Sequence, residues 1–275
     1  MKITYRISEL VPYINWVYYF FVWQVKDEGE KQRMQQEAIA KLSELEGKYK
    51  VYAVFELFDA QSEGDDIIIY RSMMCQECGI KHSVRVGSIP CLRQQQGNPP
   101  YLCLADFIRP LAGGRTDKIG LFATTVDIGL ETDFDDDVYQ KMMVQLLADR
   151  LAEAAAERLH EQVRKEFWGY AKDEALSIAD MLIERFQGIR PAVGYPSLPD
   201  TSLNFVLDDI MDMKQIGIRL TESGAMKPHA SVSGMMISNS KAKYFSIGKI
   251  GEDQLHDYAR RRGLPVEVVR KFVTL

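Results

Sequence analysis

The order of strand-like and helix-like segments predicts an α+β fold with a mainly antiparallel sheet. Strand patterns gather in the first half of the chain, and one long helical pattern separates them from mixed elements, without the regular strand–helix alternation of a doubly wound fold. Hydrophobic residues make up 46% of the 275 residues, which is enough for a large core. The length is compatible with one large domain or two smaller ones.

The first half of the chain supplies most of the predicted strands. It opens with the aromatic run INWVYYFFVW at 14–23, which has only about half the length needed to span a bilayer. Apolar residues at helical spacing follow within 28–50, and two β-rich runs around a polar turn predict a hairpin over 51–70. Apolar segments at 101–109 and 118–128 predict two more strands.

A long helix is predicted at about 135–168. This stretch contains no proline or glycine, its apolar residues are mostly four apart, and Gly169 marks its end. Acidic residues at its start suit the positive end of the helix dipole. The later elements are predicted as helices at 173–186 and 203–216, strands at 230–238 and 243–250, and closing helices at 251–262 and 264–273.

Charge and cysteine content argue against several classes of protein. The net charge of −5 disfavours binding to nucleic acid or to an anionic membrane. The chain has four cysteines, too few for a secreted disulfide scaffold, and its N-terminus lacks the pattern of a signal peptide. We therefore expect a soluble cytoplasmic protein that binds neither nucleic acid nor membrane.

The CQEC motif raises the question of a zinc site. Cys75 and Cys78 have the spacing with which two thiolates share one metal, and His82 lies nearby. A structural site needs a second such pair, whereas Cys91 and Cys103 stand alone. We favour thiols without a metal over the zinc alternative.

No catalytic constellation is visible in the sequence. His160, His229 and His256 have no partner serine or cysteine in a nucleophile setting, and His160 is expected to be a structural or surface residue. The VDIGLE segment at 126–131 has too few glycines for the cofactor loop of a Rossmann-type methyltransferase, so we predict a strand end followed by a turn. We predict no catalytic residue.

Three acids on the long helix form a row. Glu153, Glu157 and Glu161 are four apart and therefore share one helix face. Such a row is usually a solvated stripe paired with basic residues. The arginines available nearby are Arg150, Arg158 and Arg164.

The loop GIRPAVGYPSLPD at 188–200 is the stiffest segment of the chain. Its prolines bias Arg190 and Tyr195 away from helical geometry, and Gly194 allows close backbone approach to a ligand. An arginine fixed in this way offers a fork for a carboxylate or a phosphate. Alternatively, the loop turns a corner and Arg190 ties it to an acid; the two interpretations stand about even.

This loop resembles the signature of the activation domain of cobalamin-dependent methionine synthase, which binds S-adenosylmethionine. The resemblance extends over almost the whole chain, because other segments match family blocks in the family's order. These segments include GDDIIIY, LRQQQ, CLADFIRP, the long helix through KEFWGYA, LTESGAMKPHASVSG and KAKYFSIGKIGEDQLHDYARRRG.

The resemblance implies a single C-shaped domain over 1–275, built around a twisted antiparallel sheet. It implies that Arg190 binds the methionine carboxylate of S-adenosylmethionine and that Asp106 receives the methionine ammonium. The sulfonium, itself a cation, favours nearby aromatic faces and carboxylates. The other ligand-site positions implied by the resemblance are Ala192, Tyr195, Phe245, Ser246, Glu153 and Glu184, and no metal site is implied.

Two departures from the family pattern are expected to matter. Phe245 stands where a family enzyme has tyrosine, which keeps an aromatic face and loses a hydroxyl. The loop continues as PDTS, without the histidine that the family commonly shows there, so docking of a cobalamin module is expected to be altered.

The resemblance implies a reactivation role in trans. The sequence begins the activation block at Met1 and lacks modules for homocysteine, folate or cobalamin. We therefore expect a free-standing subunit that uses S-adenosylmethionine to remethylate cob(II)alamin on a cobalamin-binding methionine synthase subunit, with electrons from a flavodoxin-like donor. The alternatives are an S-adenosylmethionine-binding regulatory module, a small-molecule methyltransferase, or an excised fragment.

Overall fold

An antiparallel sheet forms the centre of the structure, a computed structural model that describes residues 1–74, 81–134 and 136–273. Within these residues the sheet has six strands in the order β4-β3-β2-β5-β6, and β1 pairs with a further part of β2. The strands are β1 Lys2–Tyr5, β2 Val51–Glu63, β3 Asp66–Met74, β4 Lys81–Pro90, β5 Asp117–Val126 and β6 Ser231–Met236. A separate two-residue ladder joins Arg219–Leu220 to Met226–Lys227.

Helices cover both faces of the sheet. They are α1 Ile7–Leu10, α2 Trp16–Val22, α3 Glu28–Leu45, α4 Gly129–Thr132, α5 Val138–Gln162, α6 Ile178–Leu182, α7 Leu203–Met211, α8 Glu252–Arg262 and α9 Val266–Phe272. Short 3₁₀ turns lie at Val11–Tyr13, Leu104–Phe107, Leu111–Gly113 and Met213–Ile216. No helix of the described ranges combines the length and the apolar character that crossing a membrane requires.

Helix α5 lies across one face of the sheet. The Asp137 side chain caps it by accepting from the Gln140 backbone N–H, and a π-helical turn at Val163–Phe167 extends it to 30 consecutive helical residues, 25 in α5 and 5 in the turn. Small alanines at 154–156 are fully buried and allow close packing of the helix. The Thr124 hydroxyl of β5 donates to the Ala152 carbonyl at 2.9 Å, which ties helix to sheet.

The core is divided by the sheet. One cluster joins α1, α2, α3 and α5 to residues such as Phe55 and Phe122. A second cluster packs α7 and the 3₁₀ turns against the opposite face, around Phe58 and Ile119. A third holds α8 and α9 together around Tyr258. Both faces of the sheet are thus buried, as the high hydrophobic content allows.

Most of the predicted architecture is confirmed. The structure has the α+β class, the mainly antiparallel sheet, the hairpin of β2 and β3, and the long helix, whose predicted start at 135 lies outside the described residues. The helix within 28–50, the strands within 118–128 and 230–238, and both closing helices are also present. VDIGLE is a strand end followed by a single helical turn, as predicted.

Two predicted strands are wrong. Segment 101–109 contains a 3₁₀ turn, because the Asp106 carboxylate accepts from the Cys103 backbone N–H at 2.9 Å and closes the chain on itself. Segment 243–250 is irregular, because its backbone pairs with the 188–200 loop through a hydrogen bond from the Ile247 N–H to the Pro196 carbonyl.

Two predicted helices are shorter than expected. Segment 173–186 forms only α6, which Ser177 caps at its start and Glu184 follows with a φ of 60°. Segment 203–216 is divided at Asp212, whose φ of 52° lies in the left-handed region that breaks a helix. The Asp208 carboxylate accepts from the Met213 N–H and stabilises this break.

Candidate functional site

A cavity of about 600 Å³ lies between α5, the 188–200 loop and the N-terminal aromatic segment. Its volume is within the range of small-molecule sites. Aromatic and charged side chains share its wall. The aromatic residues are Tyr13, Tyr18, Phe122, Phe186, Tyr195, Tyr244 and Phe245, and the charged residues are Arg150, Glu153, Glu157, Glu184 and Arg190.

The 188–200 loop is held against the edge of β6. The Val193 N–H donates to the Ser233 carbonyl at 2.9 Å, and the Met235 N–H donates to the Pro191 carbonyl at 3.0 Å. A Cβ on Gly234 would lie 2.2 Å from the Pro191 oxygen, so this approach requires glycine. Sheet pairing and prolines together give the loop a fixed shape beside the cavity.

The Arg190 guanidinium is anchored by one hydrogen bond and keeps further donors. Its Nη2 contacts the Glu157 Oε2 at 2.8 Å, and its backbone N–H donates to the Tyr244 hydroxyl at 2.8 Å. The buried Nε of Arg190 and the Oε1 of Glu157 have no hydrogen-bond partner among the described residues. Burial opposes the charged form, but Glu157 together with Tyr244, Glu153 and Tyr195 outweighs it, so the pKa of Arg190 lies above its ordinary value.

The structure thus favours the interpretation that Arg190 ties the loop to an acid. This does not use up the guanidinium, since its Nε has no hydrogen-bond partner among the described residues. A ligand carboxylate could therefore still be bound by the arginine that the loop sequence singled out.

The row of acids on α5 is not a solvated stripe. Glu157 is only 8% exposed. Glu153 accepts a short hydrogen bond from the Tyr195 hydroxyl. Glu161 accepts from Tyr13 at 2.6 Å and from Arg158 at 2.7 Å. Glu153 and Glu157 therefore line the cavity, and Glu161 supports its tyrosine wall.

Only one of the three arginines considered as partners for this row pairs with it. Arg158 binds Glu161, whereas Arg164 binds Glu174 and the Arg150 guanidinium lies over the Tyr18 ring, 5.5 Å from its centroid. Of the three expected partners, only Arg158 therefore pairs with the row in the part of the chain that the structure describes.

Glu184 faces the same cavity from the end of α6. Its φ of 60° is unusual for a residue with a side chain, and its carboxylate accepts no hydrogen bond from any described residue. Burial, and next the negative charge of Glu157, raise the pKa of Glu184. Glu184 is an exposed residue, so its carboxylate remains solvated where it faces the cavity.

Six of the eight predicted site residues line this one cavity. They are Glu153, Glu184, Arg190, Ala192, Tyr195 and Phe245. Asp106 lies outside the lining, where Arg93 binds both of its carboxylate oxygens at 2.7 and 2.8 Å. The Ser246 carbonyl accepts from the Gln94 side chain at 2.8 Å. The Phe107 ring contacts the Phe245 ring. The segments that carry Asp106 and Ser246 therefore lie next to the cavity wall.

Sequence reasoning did not select several lining residues. Glu157 belonged to the noted row, and its spacing of four from Glu153 was the only available signal. Tyr13, Tyr18 and Phe122 carried no local signal, because they reach the cavity only through packing of the N-terminal segment and β5.

His160 lies behind the cavity as a fully buried residue. Its Nε2 is 3.3 Å from the Tyr170 hydroxyl and its ring packs edge-on against Phe186. Burial, followed by the charges of Arg164 and Arg190, holds the pKa of His160 well below its ordinary value. Of the two predicted possibilities, a structural or a surface residue, the structural role is confirmed.

The two cysteines that the structure describes belong to no identified metal centre. Cys91 and Cys103 are buried free thiols, and Cys75 and Cys78 lie outside the described residues. In the described ranges, no group of three or more histidine, cysteine, aspartate or glutamate side chains has an arrangement that could hold a metal ion.

The fold is shared with a solved structure, the MetH reactivation domain bound to AdoHcy. That structure has a TM-score of 0.90 and 37% sequence identity, and the match covers 99% of this chain and 88% of that one. The family of the vitamin B12-dependent methionine synthase activation domain matches residues 6–263. The chain therefore belongs to this activation-domain family, which confirms the resemblance seen in the sequence.

Proposed function

We propose that this chain binds S-adenosylmethionine in the cavity and supports the reductive methylation of cob(II)alamin on a separate cobalamin-binding methionine synthase subunit. Membership of the activation-domain family supports a role beside a cobalamin-bearing partner. The similar domain bound to AdoHcy supports the ligand class, because AdoHcy is S-adenosylmethionine without the transferable methyl group.

The half-paired state of Arg190 carries this proposal. Its guanidinium is held by Glu157 at the cavity wall, and its Nε has no hydrogen-bond partner within the described ranges. A charge-assisted hydrogen bond from this fork to the methionine carboxylate would be worth about 1.5–3 kcal/mol. The loop would thus bind the carboxylate end of the ligand.

The remaining residues suit the rest of the ligand. Tyr195 and Phe245 offer aromatic faces to the sulfonium or the adenine, and Ala192 leaves room beside them. Asp106 is proposed to receive the methionine ammonium and Ser246 to lie beside the ligand. Since Arg93 already binds Asp106, the ammonium would share an existing ion pair.

The proposed reaction requires this chain to present a methyl donor to the partner's cobalt. One electron from a flavodoxin-like protein converts the partner's cobalt from Co(II) to Co(I). The electron pair of Co(I) would then form a Co–C bond to the methyl group as the methyl C–S bond breaks, the electron pair of the broken bond would stay on sulfur, and AdoHcy would be released. No proton moves, so this chain needs no general acid or base. We place the reaction in the cytoplasm.

Calorimetric titration with S-adenosylmethionine tests the ligand. We expect saturable binding, and we expect Arg190→Met to weaken it at least tenfold, or about 1.4 kcal/mol, because the ligand carboxylate loses its partner. Arg185→Met is the matched control, since Arg185 is 65% exposed and pairs with Asp180 outside the cavity lining.

A second assay tests reactivation. The chain, S-adenosylmethionine labelled in the methyl group, a reductant and a cobalamin-binding subunit in the cob(II) state are mixed, and the absorption change to methylcobalamin is followed. Binding without transfer would identify a regulatory module instead. Equal loss of affinity in the Arg190 and Arg185 variants would contradict the assigned carboxylate site.

A further inference from the structure

A second, smaller cavity lies away from the proposed ligand site. It is enclosed by residues 107–109, the start of β5 at 117–118, and the segment 237–240 that follows β6, with Gln187 at its side. Its volume of about 300 Å³ is at the lower end of the range of small-molecule sites. The two cavities share no lining residue, so the second is a separate candidate site.

Side-chain hydrogen bonds hold the walls of this second cavity together. The Asn239 Nδ2 donates to the Phe107 carbonyl at 3.0 Å, and its Oδ1 accepts from the Lys241 N–H at 2.9 Å. The Gln187 side chain donates to the Ser238 carbonyl at 2.8 Å. These bonds join three separate segments of the chain, so the cavity has a fixed shape before any ligand enters.

The carboxylate of the lining is already occupied. The Asp117 Oδ1 accepts from the Lys118 N–H at 2.9 Å, and its Oδ2 accepts from the Arg109 N–H at 3.2 Å. Each oxygen of Asp117 is therefore turned to a backbone donor. This carboxylate supports the wall, and it offers a cationic ligand little free acceptor capacity.

Several donors of the lining are unused. Among the described residues, none pairs with the Arg109 guanidinium or with the hydroxyls of Ser238 and Ser240. The Lys118 ammonium contacts the Asp59 Oδ1 at 2.9 Å, but its side chain is 49% exposed and an ammonium has three donors. A guanidinium, an ammonium and two hydroxyls therefore remain available at one cavity.

The surroundings of this cavity are basic although the chain as a whole is acidic. The two segments 109–118 and 238–243 carry five cationic side chains and one carboxylate, whereas the net charge of the whole chain is −5. The cations are Arg109, Arg115, Lys118, Lys241 and Lys243, and the carboxylate is that of Asp117. Clustered charge of one sign raises the local concentration of ions of the other sign, so this region attracts anions.

We propose that the second cavity binds a phosphate group, carried by free phosphate or by a small phosphate monoester. A tetrahedral phosphate accepts hydrogen bonds from several directions, which suits the fork of Arg109 together with the hydroxyls of Ser238 and Ser240. The buried side chains of Phe107 and Ile237 line the rest of the cavity, beside which a small ester group fits. This inference does not depend on S-adenosylmethionine binding.

Calorimetric titration in a phosphate-free buffer of low ionic strength tests the ligand class. The probes are inorganic phosphate, glycerol 3-phosphate and, as the uncharged comparison, glycerol. We expect saturable binding of both phosphates with a dissociation constant of about 1 mM or lower, and no binding of glycerol. Tighter binding of glycerol 3-phosphate than of inorganic phosphate would identify a monoester as the ligand, and equal binding would show that free phosphate suffices.

Substitutions locate the phosphate in the second cavity. We expect Arg109→Met to weaken the binding of both phosphates about tenfold or more, and Ser238→Ala or Ser240→Ala to weaken it about threefold. Arg109 is exposed, so its replacement should leave the melting temperature unchanged. A lowered affinity at an unchanged melting temperature would then report the lost ligand contact.

Two arginine variants are the controls. Arg115→Met removes the same charge from an exposed residue of the same segment, outside the lining of the cavity. Arg190→Met removes the arginine of the first cavity, where an anion could bind instead. We expect both variants to keep the phosphate affinity of the unmodified chain within about twofold.

Three results would overturn the phosphate site. The first is the absence of saturable binding of either phosphate to the unmodified chain. The second is a loss in Arg115→Met as large as in Arg109→Met, because net charge alone would then explain the attraction. The third is a loss of that size in Arg190→Met, which would place the phosphate in the first cavity. None of these results bears on S-adenosylmethionine binding, so the two proposals fail separately.

Discussion

Two buried arginine–glutamate pairs lie close enough to His160 to influence its pKa, and they differ in how fully their hydrogen-bonding groups are paired. In the pair behind the cavity, the Arg164 Nε and Nη2 atoms contact both carboxylate oxygens of Glu174 at 2.6–3.0 Å. The Arg164 guanidinium also lies 4.4 Å from the centroid of the Phe186 ring. In the cavity pair, Arg190 and Glu157 share a single contact of 2.8 Å.

The difference separates a structural pair from the pair that we propose takes part in ligand binding. Both oxygens of Glu174 are used, and Arg164 is wholly buried, although its Nη1 lacks a hydrogen-bond partner in the described ranges. The cavity pair leaves one donor on Arg190 and one acceptor on Glu157 unused, as far as the described chain shows. Buried polar groups are normally satisfied, so unused groups at a cavity indicate a place for a ligand.

The largest expected effect comes from breaking the structural pair. We expect Arg164→Met to lower the free energy of unfolding by about 3–5 kcal/mol, because Glu174 is left buried without its partner. Urea denaturation measures the change. Arg190→Met is the comparison, and it should cost less, about 1–3 kcal/mol, since Glu157 lies at a cavity that water can enter.

The double variant Arg164→Met/Glu174→Met provides the control for this prediction. It removes both charges and should recover most of the lost stability. Equal destabilisation by Arg164→Met and Arg190→Met would erase the distinction between the two pairs.

An intermediate effect is expected from His160, which both arginines influence. Its pKa is depressed in the folded protein, so below its ordinary value of 6.5 the unfolded chain binds the proton more readily than the folded one. Stability should therefore be complete above pH 6.5 and fall as the pH drops towards the depressed folded pKa. The slope approaches about 1.4 kcal/mol per pH unit.

Urea denaturation between pH 7 and pH 5 checks this dependence. His160→Gln cannot take up the proton, so its stability should vary less steeply in this window. Parallel pH curves for the variant and the unmodified chain would show that His160 does not cause the loss.

The smallest effect is expected at Tyr244, whose hydroxyl accepts from the Arg190 backbone N–H. Tyr244→Phe leaves that donor unsatisfied and should cost about 1 kcal/mol of stability. Since the loop keeps its pairing with β6, we expect S-adenosylmethionine affinity to fall only two- to fivefold. Calorimetry measures the affinity, and a loss as large as that of Arg190→Met would make Tyr244 a main determinant of the site.

Local sequence patterns correctly predicted the elements whose backbone conformation depends mainly on residues nearby in the sequence. The long helix lacks breakers and is capped by an aspartate, and the hairpin has alternating runs around a polar turn. Segment 101–109 has the apolar content of a strand, but the Asp106 side chain closes a turn within it. Segment 243–250 has the same content, and it pairs with a loop about 50 residues away in sequence instead of with a strand.

The sequence by itself determined the α+β class, the family, and the stiffness of the loop that holds Arg190, because propensity, periodicity and proline geometry act over a few residues. Tertiary structure decided which acid Arg190 meets, and it brought Tyr13, Tyr18 and Phe122 to the same cavity as Glu157. The partners of Arg190 and Asp106 are set by contacts between separate elements. Such contacts depend on how helix and loop pack on the sheet, and no local pattern encodes them.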